Sequence, residues 1–125
     1  MYYISIDIEM KNYEDIAKLF KALSDPHRLR ILLLLAEKKL CVCEITEILG
    51  LATSTVSNHL SILHEAGLIQ QERDGKWMNY YLNPRAEDCK KALFTECIKQ
   101  LKMCDEAKSD IEIAKKIDRI KIHTR

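Results

Sequence analysis

The sequence has little glycine and less proline, 3 and 2 of 125 residues. A turn-rich all-β fold needs more of both, so the chain is expected to be mostly helical. Long apolar runs are missing. The longest, Ile31–Ala36, falls far short of the roughly 20 residues that cross a bilayer as a helix, and no membrane partner is expected. Neither charge is in surplus: 20 Lys and Arg stand against 19 Asp and Glu, a formal net charge of +1. A nucleic-acid binder with this balance must concentrate its positive charge locally. There is no glycine-rich phosphate loop, no His-rich metal cluster and no cysteine beside an obvious general base, which argues against an enzyme. Met1–Met10 contains Asp7 and Glu9 but no basic residue, so it does not read as a secretion signal.

What the chain does have is cysteine. Its five residues are an odd number with no secretion signal ahead of them. Free or metal-bound thiols in a reducing, cytoplasmic setting are the expectation. Two of them, Cys41 and Cys43, sit one residue apart in Lys39–Thr46, at the start of an apolar-periodic segment.

Apolar spacing along the chain predicts the elements around that pair. Met1–Met10 alternates apolar and polar residues, which suits a strand or extended arm. Asn12 or Asp15 opens a first helix carrying Ile16, Leu19, Phe20 and Leu23. Ser24-Asp25-Pro26 closes it and starts a second, with Ser24 or Asp25 as cap. Leu29, Ile31, Leu32, Leu33 and Leu35 leave that second helix apolar on most sides, the expected centre of a core. Leu40–Leu51 is a third helical segment with Val42, Ile45, Ile48 and Leu49 facing in and Gly50 at its end. Thr53 or Ser54 caps a fourth helix reaching about Ala66, with Val56, Leu60 and Leu63 inward. Two helices across so short a turn form a helix-turn-helix. Leu68–Arg73 and Trp77–Leu82 are strand-like, and Asp74-Gly75 between them is a hairpin signal. The fold class expected is mainly α with a small β-hairpin, a winged helix-turn-helix. Asn83-Pro84 opens a last helix in which Phe94, Cys97, Leu101 and Cys104 form a coiled-coil-like seam. Beyond Asp105 the chain is charged, with Ile111, Ile113, Ile117 and Ile120 interspersed, and either extends that helix or frays.

Residues from about Ala22 to Leu82 resemble the ArsR/SmtB family of metal-sensing winged-helix repressors. The matching pieces are Ala22-Leu23-Ser24-Asp25-Pro26-His27-Arg28-Leu29-Arg30-Ile31, Leu40-Cys41-Val42-Cys43-Glu44-Ile45, Ser54-Thr55-Val56-Ser57-Asn58-His59-Leu60, Glu65-Ala66-Gly67-Leu68-Ile69 and Arg73-Asp74-Gly75-Lys76-Trp77. The resemblance implies a homodimer formed by the first and last helices, bound to double-stranded operator DNA with an inverted repeat and released by an effector. The layout expected is an N-terminal arm (1–12), a winged-helix DNA-binding and dimerisation domain (13–104) and a charged extension (105–125). The Cys-Val-Cys box resembles the arsenite-responsive branch, which makes As(III) or Sb(III) the expected inducer, with Cd(II) or Pb(II) as alternative soft metals and no organic cofactor.

The outward face of the fourth helix offers Ser54, Thr55, Ser57, Asn58 and Ser61, short side chains able to hydrogen-bond base edges or phosphates. Asn58 is the best candidate for an adenine contact. This helix contains no Lys or Arg, so phosphate attraction must come from elsewhere. Arg73 and Lys76 flank the wing tip, and Lys38 and Lys39 are further candidates. His59 flanks the core and reads as structural, and Trp77, Tyr80 and Tyr81 read as packing for the wing.

Cys41 and Cys43 are the main candidate ligands, since thiolates select soft ions. On a regular helix they would point about 200° apart, so shared chelation would require the helix start to unwind. Arsenic-responsive relatives often supply a third cysteine three residues on. Here that position is Thr46, so a non-protein ligand or one of Cys89, Cys97 and Cys104 must complete the set. Cys97 and Cys104 are expected to act as small hydrophobes on the seam. The sharper alternative makes them a second thiolate site across the dimer. The zinc-sensing branch uses His on the last helix, which has none here; His123 lies in the tail. Two other functions compete: a sulfur- or redox-sensing repressor on the same scaffold, and, least favoured, a Cys-x-Cys thiol enzyme or metal carrier.

Overall fold

The computed structural model describes residues 12–85 and 91–124. The N-terminal arm, apart from Asn12, lies outside the described residues, as do Cys89 and the side chain of Phe94.

Helix α2 (Pro26–Glu37) is the axis of the fold, and its start is built as its sequence suggests. Asp25 is the cap, its Oδ1 accepting from the backbone N–H of His27 at 2.8 Å and of Arg28 at 3.2 Å. Pro26 takes the first turn, where a missing N–H costs nothing. Ile31, Leu32, Leu33, Leu34 and Leu35 are all buried. Each such side chain contributes about 1.5–3 kcal/mol of burial free energy. Around this axis lie α1 (Tyr13–Leu23), capped by the Asn12 side chain, α3 (Val42–Leu49) and α4 (Thr53–Glu65). Leu19, Ala22, Ile45, Leu49, Val56, Leu60 and Leu63 complete a core with α2. Gly50 ends α3 at φ 69°, a left-handed position where a side chain is strained.

The third helical segment starts later than its apolar pattern implies. Leu40–Cys41 is a two-residue strand, β1, and the helix begins only at Val42. The wing consists of β2 (Ile69–Asp74) and β3 (Trp77–Leu82), and β1 joins it in an antiparallel sheet of order β1-β3-β2. Leu40 pairs with Tyr80 and Cys41 with Asn79. The hairpin ladder closes at Asp74 and Trp77, so its loop is Gly75-Lys76 rather than Asp74-Gly75. Gly75 takes φ 61°, the first central position of a type II′ turn. At the wing's base, buried Asn83 donates from Nδ2 to the Gly67 carbonyl at 2.9 Å.

The last part of the chain differs most from expectation. After helical Pro84-Arg85 and the undescribed residues 86–90 comes α5 (Lys91–Lys102). A turn at Met103 and Cys104 ends it, and Cys104 becomes the N-cap residue of α6 (Asp105–Lys116); α7 (Arg119–Thr124) follows. The uninterrupted seam through Cys104 is therefore broken. The charged segment neither extends α5 nor frays: α6 packs on α2, burying Ala107, Asp110 and Ala114. Three small or short residues, three and then four apart, make a narrow inward stripe without a large apolar side chain to mark it.

Asp110 meets Arg30 of α2 in a two-bond ion pair, Nε to Oδ2 and Nη2 to Oδ1, both 2.9 Å. The carboxylate is buried while the guanidinium is only half-buried. Removing the arginine strands a buried charge, so Arg30→Met is expected to cost about 2–3 kcal/mol in urea unfolding. The double substitution Arg30→Met with Asp110→Leu should cost less than the single one.

Candidate nucleic-acid interface and thiol site

Helix α4 buries Val56, His59, Leu60 and Leu63 and turns Ser54, Thr55, Ser57, Asn58 and Ser61 outward, all five exposed on the helix's outer side. Its cap residue is Ala52, not Thr53 or Ser54, and no side chain caps the first turn. The hydroxyls of Ser54 and Thr55 are thus not used in capping. Arg73 and Lys76 are exposed near the wing tip, with Lys76 Nζ 4.9 Å from the centre of the Trp77 ring. Lys38 and Lys39 are engaged within the chain. Lys38 Nζ donates to the Ile117 carbonyl at 3.2 Å, and Lys39 Nζ pairs with Glu72 at 2.8 Å while lying over Tyr81.

Behind α4 stands a residue that the sequence left unassigned. Arg28 is buried, and its Nε and Nη2 donate to the carbonyls of Ala22 and Lys21 at 2.8 and 3.1 Å, closing the end of α1. Its Nη1 lies 3.1 Å from His59 Nδ1. A guanidinium only donates, so His59 accepts at Nδ1 and carries its proton on Nε2. The His27 ring lies 5.8 Å from that of His59. Burial lowers the His59 pKa; Arg28 and His27 lower it further, and Asp25 opposes them. The one sequence signal for Arg28 was an arginine at the start of an otherwise apolar helix.

The thiols are arranged differently from two residues on one helix. Cys41 is the N-cap residue of α3, extended at φ −90° and ψ 168°, and its N–H donates to Glu44 Oε1 at 2.9 Å. This extended residue places Cys41 Sγ in contact with Cys43 Sγ, 2.7 Å away. No unwinding is needed to bring them together, because Cys41 belongs to β1. Cys41 is buried and Cys43 half-buried. Burial, then the Cys43 contact, pushes the Cys41 thiol up to about 12. Thr46 Oγ1, one turn beyond Cys43, is buried without a hydrogen-bond partner.

The other described cysteines stand apart. Cys97 is half-buried on α5, where burial raises its pKa. Cys104 is exposed and lines a cleft of about 180 Å³ that Leu29, Arg30 and Ala107 also line. Among the described residues no group of three His, Cys, Asp or Glu is placed to hold a metal ion.

Residues 25–71 match the family described as bacterial regulatory protein, arsR family. An HTH-type transcriptional regulator of Methanocaldococcus jannaschii is 46% identical over 74 residues, 58% of this chain and 83% of that protein. The chain belongs to the ArsR family. As an ArsR-family winged-helix protein it is a DNA-binding transcriptional regulator and not an enzyme. It is also similar to a cadmium resistance transcriptional regulatory protein homolog of Staphylococcus aureus, 40% identical over 62% of this chain and 64% of the relative. The arsenical resistance operon repressor of Escherichia coli is 44% identical over 54% of this chain and 58% of the relative. The chain thus spans less than two-thirds of these two relatives. Among solved structures, a homodimeric winged helix-turn-helix domain from Mycobacterium bovis has a TM-score of 0.61 at 27% identity, covering 74% of this chain and 84% of that one. Among the described residues no helix is long and apolar enough to cross a membrane.

Two outcomes are expected. Iodoacetamide at neutral pH should label exposed Cys104 well before Cys41, as peptide mass spectrometry would show. Because the folded-state pKa of His59 is below its unfolded value of about 6.5, the unfolded chain binds the extra proton. The stability from neutral His59 is complete above that value and is lost as pH falls through the lower folded pKa. Thermal melts should show a drop below pH 6.5 that shrinks in His59→Gln.

Proposed function

We propose that this ArsR-family regulator is a homodimeric repressor of double-stranded operator DNA, released when As(III) or Sb(III) binds the thiolates of Cys41 and Cys43. The observation that carries the reading is the contact between those two sulfurs where β1, the strand that borders the wing, runs into α3. Names of relatives support the effector class, since one is an arsenical resistance repressor and another a cadmium resistance regulator. Cd(II) and Pb(II) are therefore the alternative inducers. For dimerisation, α1 exposes Tyr13, Ile16 and Phe20 on one face, and α5 exposes Leu93. Apolar faces of this kind suit a two-fold interface built from α1 and α5, the helix that stands where the family resemblance places the last one.

The residues fit a soft ion. An ion bound to both thiolates would sit between the sulfurs and hold them further apart than the 2.7 Å of their present contact, so the pair would open on binding. The Cys41 thiol, which holds its proton at neutral pH, must release it to become a ligand. The third coordination position falls to a non-protein ligand or to one of Cys89, Cys97 and Cys104. Opening the pair pulls on Cys41, on its N–H bond to Glu44 and on its pairing with Asn79 of β3. The start of α3 and strand β3 of the wing then shift together, and α4, packed on α3, loses its position in the major groove. A coupling of about 10- to 100-fold in DNA affinity would account for release.

The same sulfur contact supports a second reading, a redox or sulfur sensor. In that case Cys41 and Cys43 pass two electrons and two protons to a disulfide or polysulfide oxidant and become joined to each other.

Fluorescence anisotropy with an inverted-repeat duplex separates these readings. Arsenite under reducing conditions should release wild type and Cys97→Ser, while Cys41→Ser stays bound. Full induction of Cys41→Ser would place the detector elsewhere. Release by a polysulfide but not by arsenite would select the redox reading. On the DNA side, Asn58→Ala should cost about 1–3 kcal/mol and relax discrimination at one base pair, whereas Arg73→Gln should weaken all sequences alike and lower the salt slope by about 1.

A further inference from the structure

The wing raises a mechanical question. A two-stranded hairpin is marginal alone, and from Gln71 to Asp74 its outer strand is exposed. Something must hold it at a defined angle to α4 if Arg73 and Lys76 are to meet DNA in register.

We propose that α7 is a strap that positions the wing, with Arg119 as its positioning residue, and that it ties the wing to the thiol pair. The proposal rests on the reading of the wing as a DNA contact. Arg119 Nη1 donates to Asn79 Oδ1 at 2.8 Å, and Nη2 donates to Asp74 Oδ2 at 2.6 Å. Its guanidinium carbon stands 4.8 Å from the centre of the Trp77 ring. One turn later the His123 ring lies 5.0 Å from the same indole. A single arginine therefore grips β3 at its side chains and β2 at the residue before the loop. Only a planar fork with two donor edges and a stacking face does this; a lysine ammonium is a point charge.

The strap is anchored at its other end. Ile117 packs on the core and its carbonyl accepts from Lys38, while Asp118 Oδ1 accepts from the N–H of Ile120 at 2.8 Å. It also passes close to the detector. Asn79, which Arg119 holds, pairs with Cys41 in the sheet. Arg119 in turn holds the Asp74 carboxyl below its usual range. All of α7 lies beyond residues 25–71, so the part of the chain matched to the family does not contain it.

Trp77 is the only tryptophan of the chain, so its emission reports the strap directly. Acrylamide quenching of Trp77 and DNA affinity should be measured on the full chain as wild type, Arg119→Gln and Arg119→Lys, with circular dichroism to confirm folding. Arg119→Gln should raise quenching and weaken DNA binding by about tenfold. Arg119→Lys should resemble it in quenching despite keeping the charge. Arsenite should raise quenching in wild type and not in Cys41→Ser. If Arg119→Gln fails to fold, Asp74→Asn loosens the same contact from the wing side. Quenching and affinity equal to wild type in a folded variant would overturn the proposal. If wild type binds no duplex, the DNA reading fails, and the quenching difference still decides whether the strap exists.

Discussion

Two residues, Leu40 and Cys41, paired antiparallel to Tyr80 and Asn79, are the constraint on which the working parts of this protein depend. That short pairing ends the excursion after α2, sets the angle at which α3 begins and gives the wing a third strand. It also puts Cys41 in extended backbone, so that its sulfur meets that of Cys43. In the proposed mechanism the detector on β1 is one hydrogen-bonded strand away from β3 and one helix start away from α4. Coupling between detector and DNA surface then needs no long pathway, only a sheet and a helix that share a residue.

The polar groups inside the fold serve the same geometry. Arg28 closes α1 and supports His59 on the inner side of α4, so the carbonyl ends of one helix and the setting of another rest on one guanidinium. Arg30 and Asp110 join α2 to α6. Both arginines lie in the first turns of α2, where the helix is only partly wrapped. Further along, α2 carries aliphatic residues alone from Ile31 to Leu35, all of them buried. Polar links at one end and a dry core at the other let α2 hold four helices without leaving charges unpaired. With a net charge of only +1 and no Lys or Arg on α4, the proposed DNA surface draws its positive charge from Arg73 and Lys76 of the wing. The placement of that hairpin therefore matters more here than in a uniformly basic domain.

Much of the fold could be read from local chemistry. Asn12 and Asp25 cap their helices, Gly50 ends α3, and Val56, Leu60 and Leu63 face inward as their spacing requires. The five polar residues of α4 were placed outward by the same period. Errors occurred where local signals were absent or ambiguous. Leu40 and Cys41 continue an apolar helical pattern, and only the presence of β3, some forty residues on, converts them to strand. The seam through Cys104 failed because a turn at Met103 carries no glycine or proline to announce it. The segment after Asp105 looked merely charged, because its buried residues are Ala107, Asp110 and Ala114.

By itself, the sequence determined the family, the helix-turn-helix with its wing, the outward polar face of α4 and the Cys41–Cys43 pair as the detector candidate, because each is written in contiguous residues whose period or spacing is local. The tertiary structure alone decided that the two sulfurs touch, that Arg28 meets His59 and that Arg119 reaches the wing. Those are contacts between residues separated by tens of positions, or consequences of such contacts. A sequence lists the groups able to make them; only the folded chain brings a chosen donor within about 3 Å of a chosen acceptor.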